Sequence, residues 1–260
     1  MTAGQVSELF DLTGKTAIIT GGGGCIGGVY GRALSNAGAR VVLADLNADA
    51  AESTAQTLRA EGFEVIATKV DITSPVSAAA MAAVAVEAFA GIDILVNNAA
   101  LMSEVPQTRL VDLPTDWFER IMGVNVMGVV VCARAVLDSM IGRGGGRIVN
   151  GSSAGGFMGG GIYGISKYAL HSATVSLASE LGPLGINVNG IAPGLVENDA
   201  GYRSLGADHP MRVGLKMMIP GKKEAPAEDL VGTLLLLCSK AGDWINGQTY
   251  SVDGGWIKRL

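Results

Sequence analysis

The chain has 260 residues, 48% of them hydrophobic and 17% charged, with 38 glycines and 8 prolines, a composition that fits a well-buried globular protein and excludes a disordered or low-complexity one. Its formal net charge is −5 and it holds no run of basic residues, so neither nucleic acid nor an anionic membrane surface is expected as a partner. Cys25, Cys132 and Cys238 are odd in number and widely spaced, without a CxxC or a histidine pair, which argues against a disulfide framework and against a metal site.

No basic segment followed by an apolar one precedes Lys15, and no apolar run reaches the ~18 residues of a membrane span, so a cytoplasmic protein is expected. In chain order, residues 15–20, 40–45, 64–70, 92–97, 147–152, 186–192 and 248–252 read as strands. Ala17-Ile18-Ile19 and Val41-Val42-Leu43 are apolar without alternation, as parallel strands covered on both faces require. Between them, 26–37, 48–61, 75–90, 115–140, 163–184 and 227–239 carry helical residues, with stops at Gly38, Gly62, Gly91 and Gly142. This βαβ alternation, unbroken by a linker, predicts one doubly wound α/β domain over 1–260, with a seven-stranded parallel sheet and helices on both faces.

The stretch 194–226 is the longest without a regular pattern and reads as a lid. Leu195, Val196, Tyr202, Leu205, Met211, Val213, Leu215, Met217, Met218 and Ile219 would give it an apolar inner wall.

Directly after the first strand, Thr20-Gly21-Gly22-Gly23-Gly24-Cys25-Ile26-Gly27 opens the first helix of the pattern. Glycines at such a turn let the backbone approach a pyrophosphate, whose charge the N–H groups of a helix start favour; Gly21, Gly24, Cys25, Ile26 and Gly27 are therefore candidate cofactor contacts. Asp45 ends the second strand 24 residues after Gly21, near the ~20 expected of the carboxylate that bonds an adenosine ribose. It would repel a 2′-phosphate, and the neighbouring Leu46 and Asn47 offer that phosphate no cation, so NAD is expected over NADP.

With Asn97-Asn98-Ala99-Ala100 after the fourth strand and Tyr163-Gly164-Ile165-Ser166-Lys167 after the fifth, the sequence resembles the short-chain dehydrogenase/reductase family, classical type, over nearly its whole length. Asp11-Leu12-Thr13-Gly14-Lys15, Asp71-Ile72, Asn125-Val126-Met127-Gly128, Pro193-Gly194 and Val252-Asp253-Gly254-Gly255 follow in the family's order. The resemblance implies a Rossmann-type fold and an NAD-dependent oxidoreductase that exchanges hydride between nicotinamide and a secondary alcohol or ketone.

It further implies that Tyr163 is the acid/base, Lys167 its activator and ribose anchor, Ser153 the carbonyl partner and Asn125 the holder of a relay water. Leu46, Asp71, Ile72, Asn98, Ala99, Pro193, Gly194 and Val196 would flank the cofactor. Independently of the resemblance, residues four apart on a helix share a face, and an ammonium beside a phenol should lower its pKa towards working pH. The chain departs from the family at Cys25, at Ala100 and at Asn198, and Ser153 and Tyr163 stand only ten residues apart, a shorter spacing than is usual.

Alternative readings on the same fold are a reductase of 3-oxoacyl chains on acyl carrier protein and a non-catalytic nucleotide sensor. Acidic carriers need basic docking residues, and Arg143 and Arg147 are the candidates; the apolar lid favours a free, largely apolar substrate. His171 and His209 are read as helix packing and as a solvated loop residue. A homotetramer is expected, because the family pairs the helices represented here by 115–140 and 163–184.

Overall fold

The apolar runs expected as strands form one sheet in a computed structural model that describes residues 2–106, 108–197, 206, 208–221 and 223–258. The strands are β1 (Thr16–Thr20), β2 (Arg40–Asp45), β3 (Val65–Lys69), β4 (Ile94–Asn97), β5 (Gly146–Gly151), β6 (Ile186–Pro193) and β7 (Thr249–Val252). All pairings are parallel, in the order β3-β2-β1-β4-β5-β6-β7, so the winding reverses between β1 and β4. The crevice where carboxyl ends diverge at such a reversal is the expected ligand site of an open α/β sheet.

Alternate residues of each strand feed two cores. Ala17, Ile19, Val41 and Leu43 pack against α2 (Cys25–Asn36), α3 (Ala48–Ala60) and a later helix, Val231–Cys238. Ile18, Val42, Leu95 and Ile148 pack against α4 (Pro75–Phe89) and two long helices, Gly128–Gly142 and Gly161–Leu181. Burial on both faces explains why the strands read as continuous apolar runs. A short α1 (Ala3–Glu8), held by a capping box between Thr2 and Gln5, precedes the sheet.

One expected helix divides. Residues 115–140 become α5 (Thr115–Met122), a π-helical turn at Gly123–Met127, and α6 (Gly128–Gly142). Together Thr115–Gly142 are long and apolar enough to cross a membrane by length and composition, while Val131, Cys132, Ala133, Val136 and Met140 of α6 pack into the second core. The final helices are α7 (Gly161–Leu181), α8 (Pro210–Met218) and α9 (Val231–Cys238), the last entered through a 3₁₀ turn.

The expected lid is therefore not structureless. Val196 bridges to Ala225, α8 lies between them, and a bidentate ion pair joins buried Arg212 of α8 to buried Glu224 at 2.9 and 2.5 Å. Val213, Met217 and Met218 are exposed, whereas Val196 and Ile219 are buried. Asn198, Tyr202 and Leu205, and the side chain of Met211, lie outside the described residues.

Candidate active site

At the carboxyl edge of the sheet, between the β1 and β4 ends, a cleft of about 530 Å³ runs from Asp45 to Tyr163. Its floor at one end is the glycine turn. Gly27 sits under that turn so closely that a Cβ there would come within 2.1 Å of the Gly21 carbonyl oxygen, which makes Gly27 a packing requirement and not part of the cleft wall. Gly24 caps α2 without any side-chain bond, so the helix start faces the cleft beside Gly21, Cys25 and Ile26. Backbone N–H groups and the helix dipole there suit a diphosphate, and the residues present thus fit the dinucleotide that the sequence implies.

Asp45 accepts from the backbone N–H of Gly23 at 3.0 Å and from that of Asn47 at 2.9 Å, while Asn47 itself caps α3 through Ala50. The carboxylate is thereby fixed at the cleft end without being consumed as a helix cap. Lys69 stands beside it across the β2–β3 ladder, a cation that linear sequence does not place there; it is exposed and is not part of the wall. Asn98 ties the two halves of the cleft, donating from Nδ2 to the Gly21 carbonyl at 3.2 Å and from its backbone to Thr20 Oγ1 at 3.1 Å. Asn97 instead braces β4 to β5 through Asn150.

At the other end the structure brings Ser153, Tyr163 and Lys167 together in the wall. The Ser153 hydroxyl accepts from the Gly155 N–H at 3.1 Å, which opens a 3₁₀ turn. Ser152 points elsewhere, to Lys167 and His171. Lys167 is buried, donates from Nζ to the Gly151 carbonyl at 2.7 Å, and places that ammonium 5.7 Å from the Tyr163 ring centre.

The electrostatics correct one expectation. Burial pushes the Tyr163 phenol up to about 12, only partly opposed by the nearby Ser153 hydroxyl, and it pulls Lys167 down to about 8. Desolvation of the charged forms outweighs the ammonium's help, because Nζ is engaged by a carbonyl and sits over the ring.

Asn125 lies in the π turn, fully buried and outside the cleft wall. Its Oδ1 accepts from the Leu101 N–H at 2.7 Å, and its Nδ2 donates to the Leu101 carbonyl at 3.1 Å and to Ser166 Oγ at 3.0 Å. Ser166 in turn donates to the Tyr163 carbonyl at 2.7 Å. Asn125 thus fastens the loop after β4 to the helix that carries Tyr163.

Ala99, Pro193, Gly194 and Val196 line the cleft. Leu46, Asp71 and Ile72 are not brought to its wall: Leu46 is exposed, Asp71 turns its carboxylate to Thr73, and Ile72 packs into the core against Gly128. Sequence reasoning missed Asn47, Ala50, Ala100, Met102 and Ser103 in the wall. All of these follow strand ends at the carboxyl edge, and position alone could have nominated them.

The family model described as enoyl-(acyl carrier protein) reductase matches residues 23–257. An uncharacterised oxidoreductase of Mycobacterium tuberculosis is 42% identical over 245 residues, covering 94% of this chain and 98% of that protein. The sorbitol dehydrogenase of Cereibacter sphaeroides is 37% identical over 261 residues, covering 95% and 99%. The crystal structure of a gluconate 5-dehydrogenase from Burkholderia cenocepacia, in complex with NADP and tartrate, superposes with a TM-score of 0.90 at 32% identity over 98% of this chain and 100% of that one. Likeness of this extent, end to end and in both sequence and overall fold, means that the chain belongs to the classical short-chain dehydrogenase/reductase family.

Proposed function

We propose that the protein is an NAD(H)-dependent oxidoreductase that interconverts a free secondary alcohol and the corresponding ketone, with Tyr163 as acid/base. The observation that carries this reading is the meeting of Ser153, Tyr163 and Lys167 in one wall of the cleft, with the Lys167 ammonium over the Tyr163 ring. A nicotinamide dinucleotide bound along the Asp45–Tyr163 cleft would supply or accept the hydride. Asp45 would hold its adenosine ribose, the glycine turn its diphosphate, and Lys167 the ribose next to the reacting end.

In reduction, Ser153 orients the substrate oxygen and Tyr163 gives it the phenolic proton. A phenol held near 12 retains that proton across neutral pH, and the Lys167 ammonium stabilises the phenolate that forms. Asn125 keeps the segment in register through Ser166.

The fixed carboxylate of Asp45 supports NAD over NADP, although the gluconate 5-dehydrogenase above carries NADP and Lys69 adjoins Asp45. A free substrate is supported over a carrier-bound one by the two arginines that could have docked an acidic carrier. Arg147 is the second residue of β5, at the strand end opposite the cleft, and is paired with Asp243, and Arg143 is paired with Asp93 at 2.9 Å. Ala100, Met102 and Val196 in the wall favour an apolar substrate body.

A cytoplasmic homotetramer paired through α6 and α7 completes the proposal. The test is absorbance of reduced nicotinamide during incubation with a panel of cyclic and acyclic secondary alcohols, polyols and a carrier-bound 3-oxoacyl substrate. Turnover of free alcohols with NAD is expected; dependence on the carrier, or binding of dinucleotide without any turnover, would overturn it.

A further inference from the structure

His171 lies on α7 two turns beyond Tyr163 and is not in the cleft wall, yet its ring makes three contacts with the segment that presents Ser153. Nε2 is 2.5 Å from Ser152 Oγ, and the ring centre is 4.1 Å from that of Phe157 at a 31° tilt. A Cβ added at Gly156 would meet His171 Cε1 at 2.9 Å, so the 3₁₀ turn Ala154–Phe157 rests directly on this imidazole. Ser152 Oγ also donates to the Lys167 carbonyl at 3.3 Å, which leaves its lone pairs for an Nε2–H of His171.

The segment needs such a support. Five of the nine residues between Ser153 and Tyr163 are glycines, which carry the greatest backbone entropy and hold no shape by themselves. The connection is also short, so Ser153 has little chain through which to recover its position if the turn shifts. Within Ala154–Phe157, Phe157 has the one large side chain, and His171 is what it stacks on.

We infer that His171 is a positioning residue for this site: by bonding Ser152 and stacking on Phe157 it clamps the short glycine-rich turn onto α7 and so fixes the Ser153 hydroxyl against Tyr163. The inference rests on the reading of Ser153 and Tyr163 as the acting pair. Because His171 acts at the serine and not at the dinucleotide, its loss should lower kcat and leave cofactor affinity in place. Misplacing a reacting group by about 1 Å can cost about 100-fold in rate.

The test compares the full chain with His171→Leu, His171→Gln and Ser152→Ala, measuring ketone kcat and KM, NADH Kd by fluorescence, and hydrogen exchange of amides 154–161. Expected are a kcat loss of up to about 100-fold in His171→Leu, an NADH Kd within about twofold of wild type, and faster exchange in 154–157. His171→Gln, which can still donate to Ser152, should recover most of the rate, and adding Ser152→Ala to His171→Leu should cost nothing further.

Near-native kcat in a folded His171→Leu protein would overturn the inference, as would equal losses in the Leu and Gln variants or unchanged exchange. Should the Leu variant not fold, Ser152→Ala carries the rate test against the Gln variant, with the same loss expected. If the wild type reduces no ketone, the proposed function fails, and the exchange data alone decide the clamp: faster exchange in His171→Leu supports it and unchanged exchange overturns it.

Discussion

Lys167 donates from Nζ to the carbonyl of Gly151 at 2.7 Å, so the helix that carries Tyr163 is pinned by its own lysine to the last residue of β5. Burial of this ammonium lowers its pKa to about 8, below that of Tyr163 at about 12. The charged lysine beside a protonated phenol, the form needed for reduction, therefore predominates below about pH 8 and is lost as Lys167 discharges above it. Ketone reduction measured as kcat/KM against pH should be level up to that point and then fall with loss of one proton. In Lys167→Ala this limb should vanish and the rate drop by about 10²-fold or more, with weaker cofactor binding. A wild-type profile flat well beyond pH 8 would contradict the assignment.

Asp45 offers a second test. Its carboxylate, held by Gly23 and Asn47, would oppose the extra phosphate of NADP. The ratio of kcat/KM for NAD over NADP should exceed one in wild type, narrow in Asp45→Ala, and widen in Lys69→Glu, since Lys69 is the cation nearest along the ladder. A wild-type preference for NADP would reverse the proposal.

Asn125→Ala removes three hydrogen bonds to buried or half-buried partners and leaves the Leu101 N–H unmatched. Each unsatisfied buried group costs about 1–3 kcal/mol, so chemical denaturation should show a loss of at least that size. Turnover should fall more than NADH affinity does, because the lost bonds lead to Tyr163 and not to the glycine turn.

The outer faces of α6 and α7 leave Ile141, Tyr168 and Val175 exposed. Exposed apolar side chains on two neighbouring helices suit a two-fold interface. Light scattering should give a mass above that of the monomer, and Tyr168→Glu with Val175→Glu should reduce it. A monomer at micromolar wild-type concentration would contradict the tetramer.

The strands were legible because Ile18, Val42, Leu95 and Ile148 are buried on one face while Ala17, Ile19, Val41 and Leu43 are buried on the other, which writes each strand as an unbroken apolar run. Ser153, Tyr163 and Lys167 were nominated by the resemblance, and the structure brings all three into one wall. The π turn at Gly123–Met127 was not, because its sequence is as apolar as the helices it joins and the deviation is one of hydrogen-bond register. The direction of the Tyr163 pKa was also hidden: spacing shows that an ammonium is near, but burial of both groups decides the sign. His171 looked like packing because its partners, Ser152 and Phe157, meet it only once the turn folds back on α7.

The central claim is that the Tyr163 hydroxyl moves the proton, and Tyr163→Phe tests it most directly. Reduction of a ketone by NADH, followed by loss of nicotinamide absorbance under single-turnover conditions, should slow by at least ~10²-fold, the range expected for loss of a positioned acid. NADH affinity measured on the same preparation should stay close to wild type, because the substitution removes one oxygen and almost no contact area. Near-native hydride transfer in the folded variant would contradict the account.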